Sequence, residues 1–287
     1  MRRILFIAIL IISLYDVFAQ IRIESVGPPQ PVKLIDKEIF DTANVSVFYD
    51  YGSKDDFAGP TTKYSEVVLL IGEKYLGTFD WRSLQVDSIN DDYFFNKRGN
   101  WDDFANEVLN NERLSSAYNY PVVVNLETQE ATLKLSTISL YYRYNQQLPK
   151  IDWKLENEEK KIKGIRCLKA TCRFGGRDWT AWYAPEYPMP YGPYLFQGLP
   201  GLIMQVVDTK KNFAFKFKGI ERNVQGRCVY FQKIEAEIET TRDKAREGIK
   251  NFCKDPTAAM KASGVIPKGS PLGNISSSLY YNPIELE

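Results

Sequence analysis

The side chains of this sequence that could carry out acid-base chemistry are carboxylates, because the chain contains no histidine. Histidine is the commonest general base near neutral pH and the commonest zinc ligand, so its absence excludes Ser-His and Cys-His nucleophile systems. The sequence also lacks a Ser-x-x-Lys pair, a Gly-x-Ser-x-Gly elbow, a phosphate-binding loop and a Gly-x-Gly-x-x-Gly motif. Catalysis by two facing carboxyl groups is the one scheme that remains.

Three pairs of adjacent carboxylates are candidates for that scheme. Neighbours in a strand point to opposite faces, so the members of one pair cannot face each other across a cleft. We therefore interpret these pairs as solvated charge and predict no catalytic residue among them. The pairs are Asp55–Asp56, Asp102–Asp103 and Glu158–Glu159.

A fourth acidic cluster contains Asp87, Asn90, Asp91 and Asp92. It lacks the alternating Asp spacing and the glycine of a calcium-binding loop, so we interpret it as a solvated acidic loop. The sequence predicts no metal site and no cofactor.

Four cysteines follow the N-terminal segment: Cys167, Cys172, Cys228 and Cys253. Four cysteines permit two disulfides with three connectivities. Cys167 and Cys172 are five residues apart in a predicted strand, hence about 17 Å apart, which is too far for a bond between them. Either each pairs with Cys228 or Cys253, or all four are reduced and buried. Paired Cys-x-x-Cys spacing is absent.

The first nineteen residues have the pattern of a secretory signal peptide. Arg2 and Arg3 precede an apolar core, and Val17-Phe18-Ala19 predicts cleavage before Gln20. The whole chain carries 37 Lys and Arg against 36 Asp and Glu, and removal of residues 1–19 leaves it formally neutral. A neutral chain lacks the basic stripe that nucleic acids require, so we expect no nucleic-acid partner. No later segment is long and apolar enough to span a bilayer.

Alternating apolar and aromatic residues predict a protein that is mainly β with some α structure, an α+β fold. Helical crossovers do not separate the predicted strands, so we expect an antiparallel, meandering sheet. Gly175-Gly176 predicts a hairpin turn. The predicted strands span residues 43–51, 66–71, 74–81, 121–126, 130–136, 138–144, 150–156, 161–174, 178–184, 202–208 and 213–220.

Residues 20–287 are predicted to form one domain with two helical parts. Residues 87–116 read as a helical insertion in which Asn100 caps a short helix. We predict C-terminal helices over residues 235–264. The second of these helices begins at Asp255 and Pro256 and ends at Gly264. An irregular tail is expected over residues 265–287.

The segment 185–201 combines four prolines with Gly198, Leu199, Pro200 and Gly201, and predicts a rigid, irregular loop. Two interpretations are open. In one, the motif turn only directs Leu202, Met204 and Val206 into the core. In the other, the loop and the strand before it form an aromatic binding surface. That surface would consist of Trp179, Trp182, Tyr187, Tyr191, Tyr194 and Phe196.

The hexapeptide Gly198–Ile203 resembles the signature of the GLPGLI family of exported proteins from Gram-negative bacteria. The flanking W-T-A-W-Y-x-P-E-x-P and Y-G-P-Y-x-F-x-G segments and the terminal N-P-I-E-L are similar to that family too. The resemblance implies an exported protein of the periplasm or cell surface, and it supplies no catalytic residues. The strand order around residues 161–184 also resembles periplasmic lipoprotein carriers, which implies a curved antiparallel sheet or open half-barrel covered by a few helices.

We expect a non-enzymatic envelope protein that binds a lipid-like or peptide ligand, or an envelope protein partner. The alternatives are a carboxylate-dependent periplasmic hydrolase and a structural partner of an outer-membrane protein. Buried acids that converge in a pocket would favour the hydrolase, an apolar cleft would favour the binder, and an exposed aromatic patch would favour the structural partner.

Overall fold

The structure is a computed structural model, which describes residues 24, 28–54, 62–111, 117–224, 226–264, 266 and 278–287. The predicted signal peptide and the Asp55–Asp56 pair lie outside these residues. In chain order the elements are β1 (Lys37–Thr42), β2 (Val45–Ser53), β3 (Lys63–Ile71), β4 (Tyr75–Asp80), α1 (Trp81–Asn96), α2 (Trp101–Leu109), β5 (Val122–Asn125), β6 (Glu130–Ser136), β7 (Tyr141–Gln147), β8 (Lys154–Ile162), β9 (Ile165–Phe174), β10 (Arg177–Ala184), β11 (Leu202–Asp208), β12 (Phe213–Arg222), β13 (Cys228–Gln232), β14 (Glu237–Glu239), α3 (Arg242–Lys254) and α4 (Pro256–Ala262).

In the described part of the chain, twelve strands form one large sheet in the order β14-β7-β6-β5-β4-β3-β2-β12-β11-β10-β9-β8. Neighbouring strands are antiparallel except β14, which runs parallel to β7. The sheet is not closed into a barrel, because β14 and β8 form its two edges. The predicted mainly β, antiparallel architecture with a few helices is confirmed.

A second sheet consists of β1 and β13, which pair antiparallel with Lys37 opposite Gln232 and Thr42 opposite Cys228. Neither strand is in the set predicted from the sequence. Val229 and Phe231 of β13 pack with Phe48 and Phe79 of the large sheet in a small apolar cluster. The two-stranded sheet therefore forms a second layer over part of the large sheet.

The larger apolar core lies on the opposite face of the large sheet. Phe213, Phe215 and Phe217 are buried in this core, while the alternating Lys216 and Lys218 are exposed, as the pattern predicts. Leu202, Met204 and Val206 are also fully buried, which confirms that the strand after the motif points into the core.

The first helical part contains two helices within its described residues instead of the single predicted one. Helix α1 begins at Trp81, because the Asp80 carboxylate accepts hydrogen bonds from the backbone N–H groups of Arg82 and Ser83. Helix α2 begins as predicted after Asn100, whose side chain forms a capping box with Asp103. The prediction of a solvated acidic loop at residues 87–92 is therefore wrong, because these residues lie in α1 and Asp87 and Asn90 are buried.

The C-terminal helices begin later than predicted. Helix α3 starts at Arg242 after an N-cap at Thr241, and Glu237–Glu239 forms the edge strand β14. Asp255 caps α4 and Pro256 is its first residue, as predicted. Among the described residues, no helix is long and apolar enough to cross a membrane.

The predicted boundary between strands 150–156 and 161–174 is wrong. The first strand, β8, extends to Ile162 and the second, β9, starts at Ile165. A tight turn at Lys163 and Gly164, whose φ angles are 50° and 83°, joins them. The Gly175-Gly176 turn between β9 and β10 is confirmed, with φ angles of 57° and 72°.

None of the four cysteines forms a disulfide in the described structure. Cys167, Cys172 and Cys253 are buried and Cys228 is partly buried, which matches the reduced alternative. Burial raises the pKa of the Cys172 thiol to about 12, so this thiol is inert at neutral pH.

The motif loop, residues 185–201, has no regular strand and is held by backbone hydrogen bonds. The N–H of Gly198 donates to the Pro190 carbonyl at 2.9 Å, and the N–H of Ile203 donates to the Tyr191 carbonyl at 2.9 Å. Gly201 has a φ angle of 154°, and a Cβ placed there would lie 2.3 Å from the Ala184 carbonyl oxygen. Gly198 has a φ angle of 89°, but a Cβ placed there would meet no heavy atom within 4 Å.

We predict that Gly201→Ala destabilises the protein more than Gly198→Ala. Both variants force a side chain into a positive φ angle, at a cost of about 1 kcal/mol, but only the first also collides with the backbone of β10. Urea unfolding of both variants checks this difference. Equal losses of unfolding free energy would contradict a specific close approach at Gly201.

Candidate functional site

A cavity of about 240 Å³ lies between the two sheets beside helix α1, and we call it the inter-sheet cavity. Its walls come from the β4–α1 junction, from the chain around β5, β6 and β7, and from β13 and the segment that follows. Most of the wall is apolar or aromatic, including Phe79, Leu84, Tyr142 and Phe231. Charged side chains also line it: Asp80, Asp87, Lys134 and Glu237.

Asp80 has a structural role in the wall of this cavity. One carboxylate oxygen caps α1 by accepting the N–H groups of Arg82 and Ser83, at 3.0 and 3.1 Å. The other oxygen accepts from the Ser65 hydroxyl and from the backbone N–H of Tyr118 at 3.3 Å. Both oxygens are therefore engaged, and Asp80 joins β3, α1 and the chain before β5.

Asp87 is buried on the face of α1 that meets β13. Its carboxylate accepts hydrogen bonds from the Tyr230 hydroxyl at 2.7 Å and from the Gln232 amide at 2.5 Å. Burial raises the pKa of the Asp87 carboxyl, and the hydrogen bond from Tyr230 and the charge of Lys37 oppose that rise. Asp87 thus ties α1 to β13 through neutral donors.

Lys134 is a buried cation on β6. Its ammonium forms an ion pair with Glu237 and donates to the Gln232 carbonyl at 2.7 Å. It also lies 4.9 Å from the centre of the Phe231 ring. These contacts join β6, β13 and β14, so they hold the edge strand β14 in place over the cavity.

Tyr118 contributes a buried hydroxyl to the same region. Tyr118 is one of the residues beside the cavity, but its ring packs 5.2 Å from that of Tyr51 and 6.0 Å from that of Phe215 in the larger core. Its hydroxyl is buried, has no hydrogen-bond partner among the described residues and therefore carries a desolvation cost.

Chemically, this arrangement fits binding better than acid-base catalysis. Two carboxylates that hydrolyse a glycoside must be able to exchange protons with a substrate or a water molecule. Here the Asp80, Asp87 and Glu237 carboxylates each already bind protein donors or an ion-pair partner. Among the described residues, no group of three or more Asp, Glu, Cys or His side chains is arranged to hold a metal ion.

The aromatic surface predicted around the motif is divided by the structure. Trp179, Tyr194 and Phe196 are buried in the core, so they do not offer a surface to a ligand. The Phe196 ring packs 4.7 Å from that of Trp179. Trp182, Tyr187 and Tyr191 are only partly buried at the edge of this core. Trp182 lies on the opposite face of β10, where the Lys160 ammonium covers its ring at 4.2 Å.

Little space remains beside the motif loop. The cavity next to Gly192, Tyr194 and Phe196 has a volume of only about 10 Å³. That volume is about one water molecule. Within the Gly198-Leu199-Pro200-Gly201 turn, Leu199 and Gly201 are buried, and Gly198 and Pro200 are exposed. Sequence reasoning missed the inter-sheet cavity, because its walls come from segments far apart in the chain.

Two of the motif segments, Y-G-P-Y-x-F-x-G and the terminal N-P-I-E-L, meet at Glu285. Its carboxylate accepts from the Tyr194 hydroxyl and from the Arg242 guanidinium, the latter at 2.6 Å. Burial and the Glu285 charge raise the pKa of the Tyr194 hydroxyl, so this phenol stays protonated. The terminal N-P-I-E-L segment is thus joined to the motif loop and to α3.

Comparison with known proteins adds no functional information. No family model matches this sequence, and no curated protein matches it. Two solved structures of PNGF-II, in space groups P21 and C2, are similar to this chain with TM-scores of 0.43 and 0.42 and identities of 11% and 12%. Each match covers 71% of this chain but only 32% of the PNGF-II chain. This chain therefore matches about a third of the length of those proteins.

We predict that replacing Phe196 by Ala destabilises the protein by about 3–5 kcal/mol, as expected for a buried ring. Tyr191→Ala, at a partly buried position of the same loop, costs less. Thermal unfolding measures both. Neither substitution should change ligand binding in the inter-sheet cavity as long as the variant is folded. A loss of ligand binding in folded Phe196→Ala alone would instead favour a binding site at the motif loop.

The raised pKa of Asp87 predicts a defined pH dependence of stability. The folded state holds this proton more tightly than the unfolded chain, so the contribution of Asp87 is most favourable at low pH. It decreases as the pH rises from the ordinary value of 3.8 through the raised pKa. The Asp87→Asn variant has no proton to lose at this position, so it does not lose this stability. The unfolding free energy of the variant minus that of the wild type therefore increases as the pH rises over that range.

Asp92→Asn on the same helix is the matched control and has the opposite sign. Hydrogen bonds from Asn96 and Arg98 lower the pKa of the exposed Asp92 carboxyl. Its contribution is present above the ordinary pKa and is lost as the pH falls. Urea unfolding between about pH 3 and pH 7 gives both trends. Parallel trends would contradict the assignment of a raised pKa to Asp87.

Proposed function

We propose that this protein is an exported, non-enzymatic envelope protein that binds a hydrophobic or extended ligand in the inter-sheet cavity. The observation that carries the proposal is the cavity itself, which has aromatic walls and a few fixed polar groups. Binding sites for small molecules are typically concave, mostly apolar and lined by a few convergent polar side chains. The signal-peptide pattern of residues 1–19 supports export, which N-terminal sequencing of the secreted chain would test by a start at Gln20.

The polar groups of the cavity are fixed before any ligand arrives. The Lys134–Glu237 pair and the Asp87 hydrogen bonds join α1, β6, β13 and β14 around the space. A site whose side chains are already ordered loses little conformational entropy when it binds. This favours a pre-formed binding site over one that assembles around its ligand.

We predict that Ser136→Phe abolishes ligand binding. Ser136 lines the cavity at the end of β6, where an aromatic side chain suits the strand and fills the space. Native mass spectrometry of protein purified from its own envelope should show a bound small molecule in the wild type and none in the variant. Thr180→Phe, at a partly buried position of β10 outside the cavity wall, is the matched control and keeps the ligand. A ligand that survives Ser136→Phe would contradict binding in this cavity.

A carboxylate-dependent hydrolase is the second candidate, because Asp80, Asp87 and Glu237 line one cavity. A panel of chromogenic glycosides and esters tests it. Turnover that is lost in both Asp87→Asn and Glu237→Gln, while the variants stay folded, would replace binding by hydrolysis as the proposed function. The engagement of all three carboxylates in protein contacts favours binding.

A structural role beside an outer-membrane protein has weaker support. Phe95 on α1 is 66% exposed, and Trp101 on α2 is 43% exposed. Copurification of a membrane protein that is lost when both side chains are replaced by Ser would favour this role.

A further inference from the structure

We infer that the inter-sheet cavity selects ligands that carry a protonated amino group on an apolar body. This inference rests on the proposed binding function and specifies its ligand class. The hydrogen bonds, ion pairs and rings that line the cavity support it.

Asp87 is the anionic group of the cavity that a ligand can complement. Its two hydrogen-bond donors, the Tyr230 hydroxyl and the Gln232 amide, are both neutral. The nearby cation Lys37 is bound instead to Asp91. A carboxylate has room for about four hydrogen bonds, so Asp87 retains acceptor capacity for an ammonium group.

The other charges of the cavity are already compensated. Lys134 is paired with Glu237, so this buried cation of the wall is not available to a negatively charged ligand. Asp80 faces the N-terminus of α1, where backbone N–H groups satisfy it. An anionic ligand would therefore meet the Asp87 carboxylate, whose hydrogen-bond donors are both neutral, and the two negative charges would repel each other.

The aromatic walls favour a cation over a neutral polar group. The rings of this region already lie next to protein cations: Phe231 is 4.9 Å from the Lys134 ammonium and Tyr230 is 5.2 Å from that of Lys37. Aromatic faces attract ammonium groups, most strongly where water is excluded. A cavity of about 240 Å³ also has room for a small apolar body beside the charged group.

Three probes with one apolar body and different charged groups test this inference: 4-phenylbutylamine, 4-phenylbutanol and 4-phenylbutyrate. Isothermal titration calorimetry on the purified protein at neutral pH should give the tightest binding for the amine, at least about tenfold tighter than for the alcohol. The carboxylate should bind weakest. An alcohol or carboxylate that binds as tightly as the amine would overturn the inference and leave the binding proposal intact.

Substitutions locate the preference. Asp87→Asn should remove the preference for the amine and should still bind the alcohol. Asp92→Asn, on the exposed side of α1, should leave the affinities for both probes unchanged. If Asp87→Asn does not fold, the comparison of the three probes on the wild-type protein remains the test. An amine preference that persists in folded Asp87→Asn would overturn the inference. If none of the three probes binds, both the inference and the proposed binding function are wrong.

Discussion

The buried guanidinium of Arg177 is the constraint on which much of this fold depends. It donates to the Asn282 side chain at 2.6 Å and to the carbonyls of Pro283 and Ile284 at 2.6 and 3.0 Å. It also lies 3.6 Å from the buried Asp208 carboxylate. A buried charge is costly unless it is paired and hydrogen-bonded. The C-terminal residues are therefore an integral part of the core, since their removal would leave Arg177 with carbonyl partners missing.

The same constraint brings two of the sequence motifs into contact with each other. Because Arg177 holds the terminal segment in place, the Glu285 carboxylate accepts hydrogen bonds from the Tyr194 hydroxyl and the Arg242 guanidinium. Tyr194 has a positive φ angle of 59°, an uncommon conformation for a bulky residue, and this contact helps to stabilise it. Two motifs that are distant in the chain thus meet in one buried network. The inter-sheet cavity lies in another part of the molecule.

The sequence predicts those parts of the structure whose signals are local. The alternation at Phe213, Phe215 and Phe217 identifies a strand with one buried and one solvent-exposed face. Asn100 and Asp255 identify helix starts, because their side chains cap the helices that follow them. The cavity has no such signal. It requires β13 to pair with β1, which lies near the other end of the chain, and β14 to add in parallel to β7. Asp87 reads locally as one of several surface acids, and only that long-range pairing brings Tyr230 and Gln232 to it.

The carboxylates of the cavity hold its wall together, and this role conflicts with acid-base catalysis. A catalytic carboxylate needs a proton to exchange, whereas Asp80 uses its oxygens to start α1 and to anchor the chain at Tyr118. If Asp80 released those N–H groups to act on a substrate, the wall of the cavity would lose its attachment. The wall of the cavity therefore depends on carboxylates that are engaged in contacts with the protein itself.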